Sequence, residues 1–79
     1  MDLSEAIRIR INNLIKERNI SISKLSTLAG ISRSTLSKFL TGKRKLLRID
    51  MIEFICEALE IKLTDFFNDP IFDNIDIKE

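Results

Sequence analysis

The stretch Ile20–Lys45, ISISKLSTLAGISRSTLSKFLTGKRK, limits the possible folds more than any other part of the chain. Ile20-Ser21 is followed by Leu25, and Ile31-Ser32 by Leu36. Each pair sets an apolar residue before a serine N-cap, with a second apolar residue at the fourth helical position, which fixes the angle at which the chain enters a helix. Lys24 and Thr35 stand where a capping-box glutamate would, so the serine hydroxyls act alone. Gly30 falls where a helix ends at positive φ, a conformation costly for any residue with a side chain. The spacing predicts a helix over about 22–29, with Leu25, Leu28 and Ala29 inward, and another over about 33–40, with Leu36, Phe39 and Leu40 inward. Gly42 closes the second as a positive-φ cap. Two short helices so close together, with facing apolar sides, cross steeply as a helix-turn-helix over about 21–41, and the second can project into a DNA major groove.

The remaining periodicity is also helical. Leu3, Ile7, Ile11, Leu14 and Ile15 predict a first helix over about 3–18, capped by Asp2 or Ser4, with Ile9 off its apolar stripe. Ile49, Ile52, Ile55, Cys56 and Leu59 predict a fourth over about 49–59, with Asp50, Glu53, Glu57 and Glu60 opposite. Asp50 and Glu53 would form a capping box if that helix began one residue later. Leu63 to Phe67 reads as a short fifth helix with Phe66 inward, ended by Pro70. The expected fold is all-α, a compact five-helix domain over residues 1–67 with a short acidic tail over 68–79. In that tail Ile71, Phe72, Ile75 and Ile77 alternate with acids, and a strand, a helical turn or a disordered segment all fit. So many large apolar residues favour packing, against the domain or against a second copy.

The net charge of +1 conceals a division along the chain. Residues 1–17 balance, residues 18–49 carry +8 with no acid, and residues 50–79 carry −7. The basic third coincides with the helix-turn-helix and the loop after it, and a local positive field attracts a polyanion whatever the total charge.

Leu25-Ser26, Ala29-Gly30-Ile31-Ser32, Leu36-Ser37 and Gly42-Lys43-Arg44 occur in an order and spacing that resembles the DNA-binding domains of the lambda repressor and Cro type, the XRE family. The resemblance continues through Ala58-Leu59 and into Leu63 to Phe67, and covers roughly Leu3 to Phe67. It implies the five-helix fold, binding to a double-stranded operator as a homodimer, and a loop at Lys43, Arg44 and Lys45 that lies along the sugar-phosphate backbone. The chain departs from the family in three places. Ile15 and Leu40 stand where relatives often pair an Arg with a Glu. Ile22 replaces a Gln that often clamps a phosphate, and Glu60 replaces a common glycine.

The outward positions of the second helix of the motif are Arg33, Ser34, Ser37 and Lys38, the candidate base contacts. The planar fork of Arg33 suits the O6 and N7 of guanine, while serine specifies little. Arg10, Ser23, Lys24, Ser32, Thr41, Lys43, Arg44 and Lys45 are the candidate phosphate contacts. Phe67, Ile71, Phe72, Ile75 and Ile77 are the candidate dimer contacts. A phage- or prophage-type repressor, bound to a near-palindromic operator in the cytoplasm, is the leading expectation. The competing class is an antitoxin-like interaction module that binds a regulatory protein partner through the acidic third.

Other functions find little footing. With one Cys and no His, a zinc site is not expected, nor are a cofactor, a small-molecule ligand or an enzymatic centre. Cys56 lies on an apolar helical stripe and reads as a small core residue. No apolar run approaches the roughly 18 residues of a membrane span, and the N-terminus does not read as a signal peptide.

Overall fold

A computed structural model describes residues 1–76. Its elements are α1 (Leu3–Arg18), α2 (Ile22–Ala29), α3 (Arg33–Leu40), α4 (Ile49–Leu59), α5 (Leu63–Phe67) and a 3-10 turn (Pro70–Asn74). The all-α, five-helix expectation is met, with each helix where periodicity and caps place it. Asp2 caps α1 by accepting from the Glu5 N–H at 2.9 Å. Ser21 and Ser32 cap α2 and α3 by accepting from Lys24 and Thr35. Gly30 and Gly42 adopt φ of +69° and +85°. Gly42 lies one residue beyond the cap position, which Thr41 occupies.

The core draws on every helix. Phe39 of α3 and Phe66 of α5 are fully buried, among Ile11, Leu25, Leu36, Ile55 and Leu59. Burying an aromatic side chain in this way is worth about 3–5 kcal/mol against truncation to alanine. Ile15 and Leu40 are both buried in the same cluster, so the apolar pair is accommodated by packing. Cys56 is buried and free, and burial pushes its thiol pKa up.

Three residues expected to face inward do not. Leu3 and Leu28 are about half exposed, at 49% and 51%, and Ile49 is 82% exposed. All three sit at or near helix ends, where a residue can keep the apolar period yet have no neighbouring helix above it. Ala29 is only partly buried and packs at the edge of the core. The Asp50–Glu53 capping box does not form, because α4 already begins at Ile49. The Asp50 carboxylate pairs instead with Arg48, Nη2 to Oδ2, at 2.6 Å.

The tail turns back on the domain. Asp69 caps the 3-10 turn by accepting from the Ile71 N–H at 2.9 Å, and the turn packs on α1. Phe72 meets Phe67 and Phe66, at centroid distances of 5.1 and 6.1 Å. The Asp76 N–H donates to the Met1 carbonyl at 2.9 Å.

Candidate nucleic-acid interface

Leu36, Phe39 and Leu40 anchor α3 in the core, so its opposite side must face solvent. Arg33, Ser34 and Lys38 are exposed there, and Ser37 is half-buried between them. Eight residues make about 12 Å of helix, which lets Arg33 and Ser34 lead at one end and Lys38 follow one turn behind. Neither Arg33 nor Lys38 forms a hydrogen bond or ion pair with another side chain among the described residues, so both charges remain available to a ligand.

Around this helix lie the candidate phosphate contacts. Ser32 is exposed, with its hydroxyl engaged in capping. Thr41 is exposed, and its hydroxyl donates to the Ser37 carbonyl at 2.8 Å. Lys43, Arg44 and Lys45 are exposed on the loop after α3. Arg44 is partly committed, since its Nε donates to the Leu46 carbonyl at 3.0 Å. At the start of α2, Lys24 is exposed and Ser23 half-buried. The N–H groups of Ile22 and Ser23 precede the first intrahelical bond, and free N–H groups at a helix start attract anions.

Arg10 does not belong to this set. Its guanidinium is bonded to the carbonyls of Asp65 and Phe66 and to the carboxylate of Asp69, and its side chain is only 13% exposed. Helical periodicity puts it on a solvated side of α1, whereas α5 and the 3-10 turn cover that side. Arg8 and Asn12, which periodicity likewise leaves in solvent, donate to the last carbonyls of α3. Backbone acceptors leave no mark in the sequence, so only the fold reveals these bonds.

The expected dimer residues separate as well. Phe67 is 40% exposed, whereas Ile71, Phe72 and Ile75 are half-buried against the chain's own domain, and Ile77 lies outside the described residues. A groove of about 300 Å³ opens beside Phe67, lined by Ile49, Ile52 and Leu63 with Asp50 and Glu53.

A polar helix presented outward, a turn at Gly30 and an exposed cationic loop after α3 together make up a helix-turn-helix. The sequence profile of the Cro/C1-type HTH DNA-binding domain matches residues 10–70. The chain belongs to this family. An uncharacterized HTH-type transcriptional regulator of Bacillus subtilis (strain 168), YozG, is 38% identical over 60 residues, covering 76% of this chain and 71% of that one. The crystal structure of prophage Lp1 protein 11 superposes with a TM-score of 0.79 at 30% identity, covering 95% of this chain and 100% of the other. As a Cro/C1-type domain, the chain belongs to a class that binds DNA rather than one that catalyses a reaction. No described helix is long and apolar enough to cross a membrane.

Proposed function

We propose that this Cro/C1-type chain is a sequence-specific transcriptional regulator of the repressor type, which reads a near-palindromic operator through α3 in the major groove. The observation that carries the reading is the outward face of α3. Arg33, Ser34 and Lys38 project from a helix anchored by buried residues, inside a segment of charge +8. Arg33 is the principal reader, while Lys43, Arg44 and Lys45 hold the backbone through charge. The names of the two similar proteins, a transcriptional regulator and a prophage protein, agree with a repressor acting by promoter occupancy.

The active species in this reading is a homodimer, joined through the groove between α4 and α5 rather than through the tail. Ile49, Leu63 and Phe67 are exposed there. Asp50 lines the groove, and its Oδ1 is buried without a hydrogen-bond partner among the described residues. Acids at Asp50 and Glu53, with Arg48 and Lys62 adjacent in sequence, give the surface both signs of charge, which suits a two-fold contact with itself. The domain measures 38 × 25 × 21 Å. Two copies on successive major grooves would address half-sites about 34 Å apart.

Selection of bound sequences from random duplex DNA, paired with sedimentation of the free protein, tests this function. The expected result is a two-fold symmetric motif and a dimer that Ile49→Glu dissociates. An unsymmetrical motif bound by a monomer would remove the dimer, and binding that selects no sequence would remove the regulator.

A further inference from the structure

The last turn of a helix leaves four carbonyls without intrahelical partners. In α3 these belong to Ser37, Lys38, Phe39 and Leu40. The Ser37 carbonyl accepts from the Thr41 N–H at 2.9 Å, and the Lys38 carbonyl from the Arg44 N–H at 2.9 Å. The Phe39 carbonyl accepts from the Gly42 N–H at 3.2 Å, and both it and the Leu40 carbonyl are reached from α1. Arg8 Nε donates to the Phe39 carbonyl at 2.8 Å, and Asn12 Nδ2 donates to the Leu40 carbonyl at 3.3 Å. Arg8 and Asn12 lie four residues apart and so share one side of α1.

Arg8 makes a second contact with the same residue. Its guanidinium carbon lies 5.4 Å from the centroid of the Phe39 ring, and Phe39 is fully buried. A single guanidinium thus holds both the carbonyl and the ring of Phe39, which restrains α3 along its axis and in rotation about it. Its charge also suits the negative end of the helix dipole. Lys38 precedes Phe39 directly, and Arg33 and Ser34 sit on the same short rigid rod, so any rotation of α3 moves all three side chains.

We propose that Arg8 and Asn12 are positioning residues for DNA recognition, holding the C-terminal end of α3 so that Arg33, Ser34 and Lys38 meet the base edges in register. The proposal rests on α3 being the DNA reader. It gives Arg8 a role distinct from a phosphate contact, because its Nε is directed to a protein carbonyl and its effect passes through Phe39.

The test titrates wild type, Arg8→Met and Asn12→Ala against a selected site and against unselected DNA, by fluorescence anisotropy over a range of salt. The temperature is set where circular dichroism shows every variant folded. Arg8→Met keeps an apolar stem against Phe39 and removes the guanidinium. Affinity for the selected site should fall about tenfold in Arg8→Met and less in Asn12→Ala, while unselected DNA and the salt slope are unchanged. A slope lowered by about one would make Arg8 a phosphate contact and overturn the proposal. Unaltered site affinity in a folded variant that melts at lower temperature would overturn it too, leaving Arg8 purely structural. A wild type that selects no site fails earlier, before any variant is compared, and removes the reader assignment together with the proposal.

Discussion

Arg10 and Phe66 are joined twice: the guanidinium Nε donates to the Phe66 carbonyl at 2.8 Å, and its central carbon lies 5.8 Å from the centroid of the Phe66 ring. Nη2 donates to the Asp65 carbonyl at 3.0 Å, and Nη1 pairs with Asp69 Oδ2 at 3.1 Å. One side chain of α1 therefore fastens both α5 and the turn that follows it. Arg10→Met should lower unfolding stability by about 2 kcal/mol, since charged hydrogen bonds are lost and two carbonyls are left partly unpaired. Urea denaturation measures that loss. The salt slope of DNA binding should stay at the wild-type value, and a drop of about one would return Arg10 to the phosphate contacts.

Glu60 ends α4 at φ +56°, with its own N–H bonded to Glu57 and the Ile61 N–H bonded to the Cys56 carbonyl at 3.0 Å. This left-handed closing turn favours glycine, and a side chain there strains the backbone. Glu60→Gly should raise stability by about 1 kcal/mol, read as a higher melting temperature. An unchanged or lower one would mean that the exposed carboxylate contributes more than the strain costs.

Much of this architecture is legible before the structure is seen. The two serine caps, Gly30 and the periods of Leu36, Phe39 and Leu40 place α3 to the residue, because caps and buried periods are local signals. Legibility stops where a side chain's partner is a distant carbonyl. Arg8, Arg10 and Asn12 all look like polar surface in a helical wheel, yet each donates to backbone 28 or more residues away. Ile49 and Leu28 mark a second limit: periodicity identifies an apolar face but not whether another element reaches far enough to cover it. For the tail, alternating Ile and Asp leaves the conformation undecided, and the aromatic contacts of Phe72 are what anchor it.

Lys43 and Lys45 project from the loop after α3 without a side-chain hydrogen bond or ion pair among the described residues. Lys43→Ala and Lys45→Ala should each weaken binding to all sequences alike and reduce the salt slope by about one. Base preference should be unaltered. Anisotropy titrations at several salt concentrations on two unrelated duplexes check this, and a loss confined to one duplex would assign base reading to the loop.

Cys56 is buried on α4, and desolvation raises its thiol pKa above the usual 9.0, opposed by the nearby positive charge of Arg10. A thiol that holds its proton more tightly when folded contributes stability below its unfolded pKa, and that contribution is lost as pH rises through the folded value. Stability should therefore decline above about pH 9, and Cys56→Ser should flatten that part of the profile. In native buffer, alkylation of Cys56 should proceed only as fast as the domain opens. Rapid alkylation of folded protein would contradict its burial.

Base reading by α3 through Arg33 is open to a decisive measurement: binding to every single-base-pair variant of the selected site. Wild type should discriminate at each position read, whereas Arg33→Ala should lose about 1–3 kcal/mol of discrimination at one base pair per half-site and keep the rest of the profile. An Arg33→Ala profile that matches wild type at every position, or one lowered evenly across all of them, would contradict base reading by α3 through Arg33.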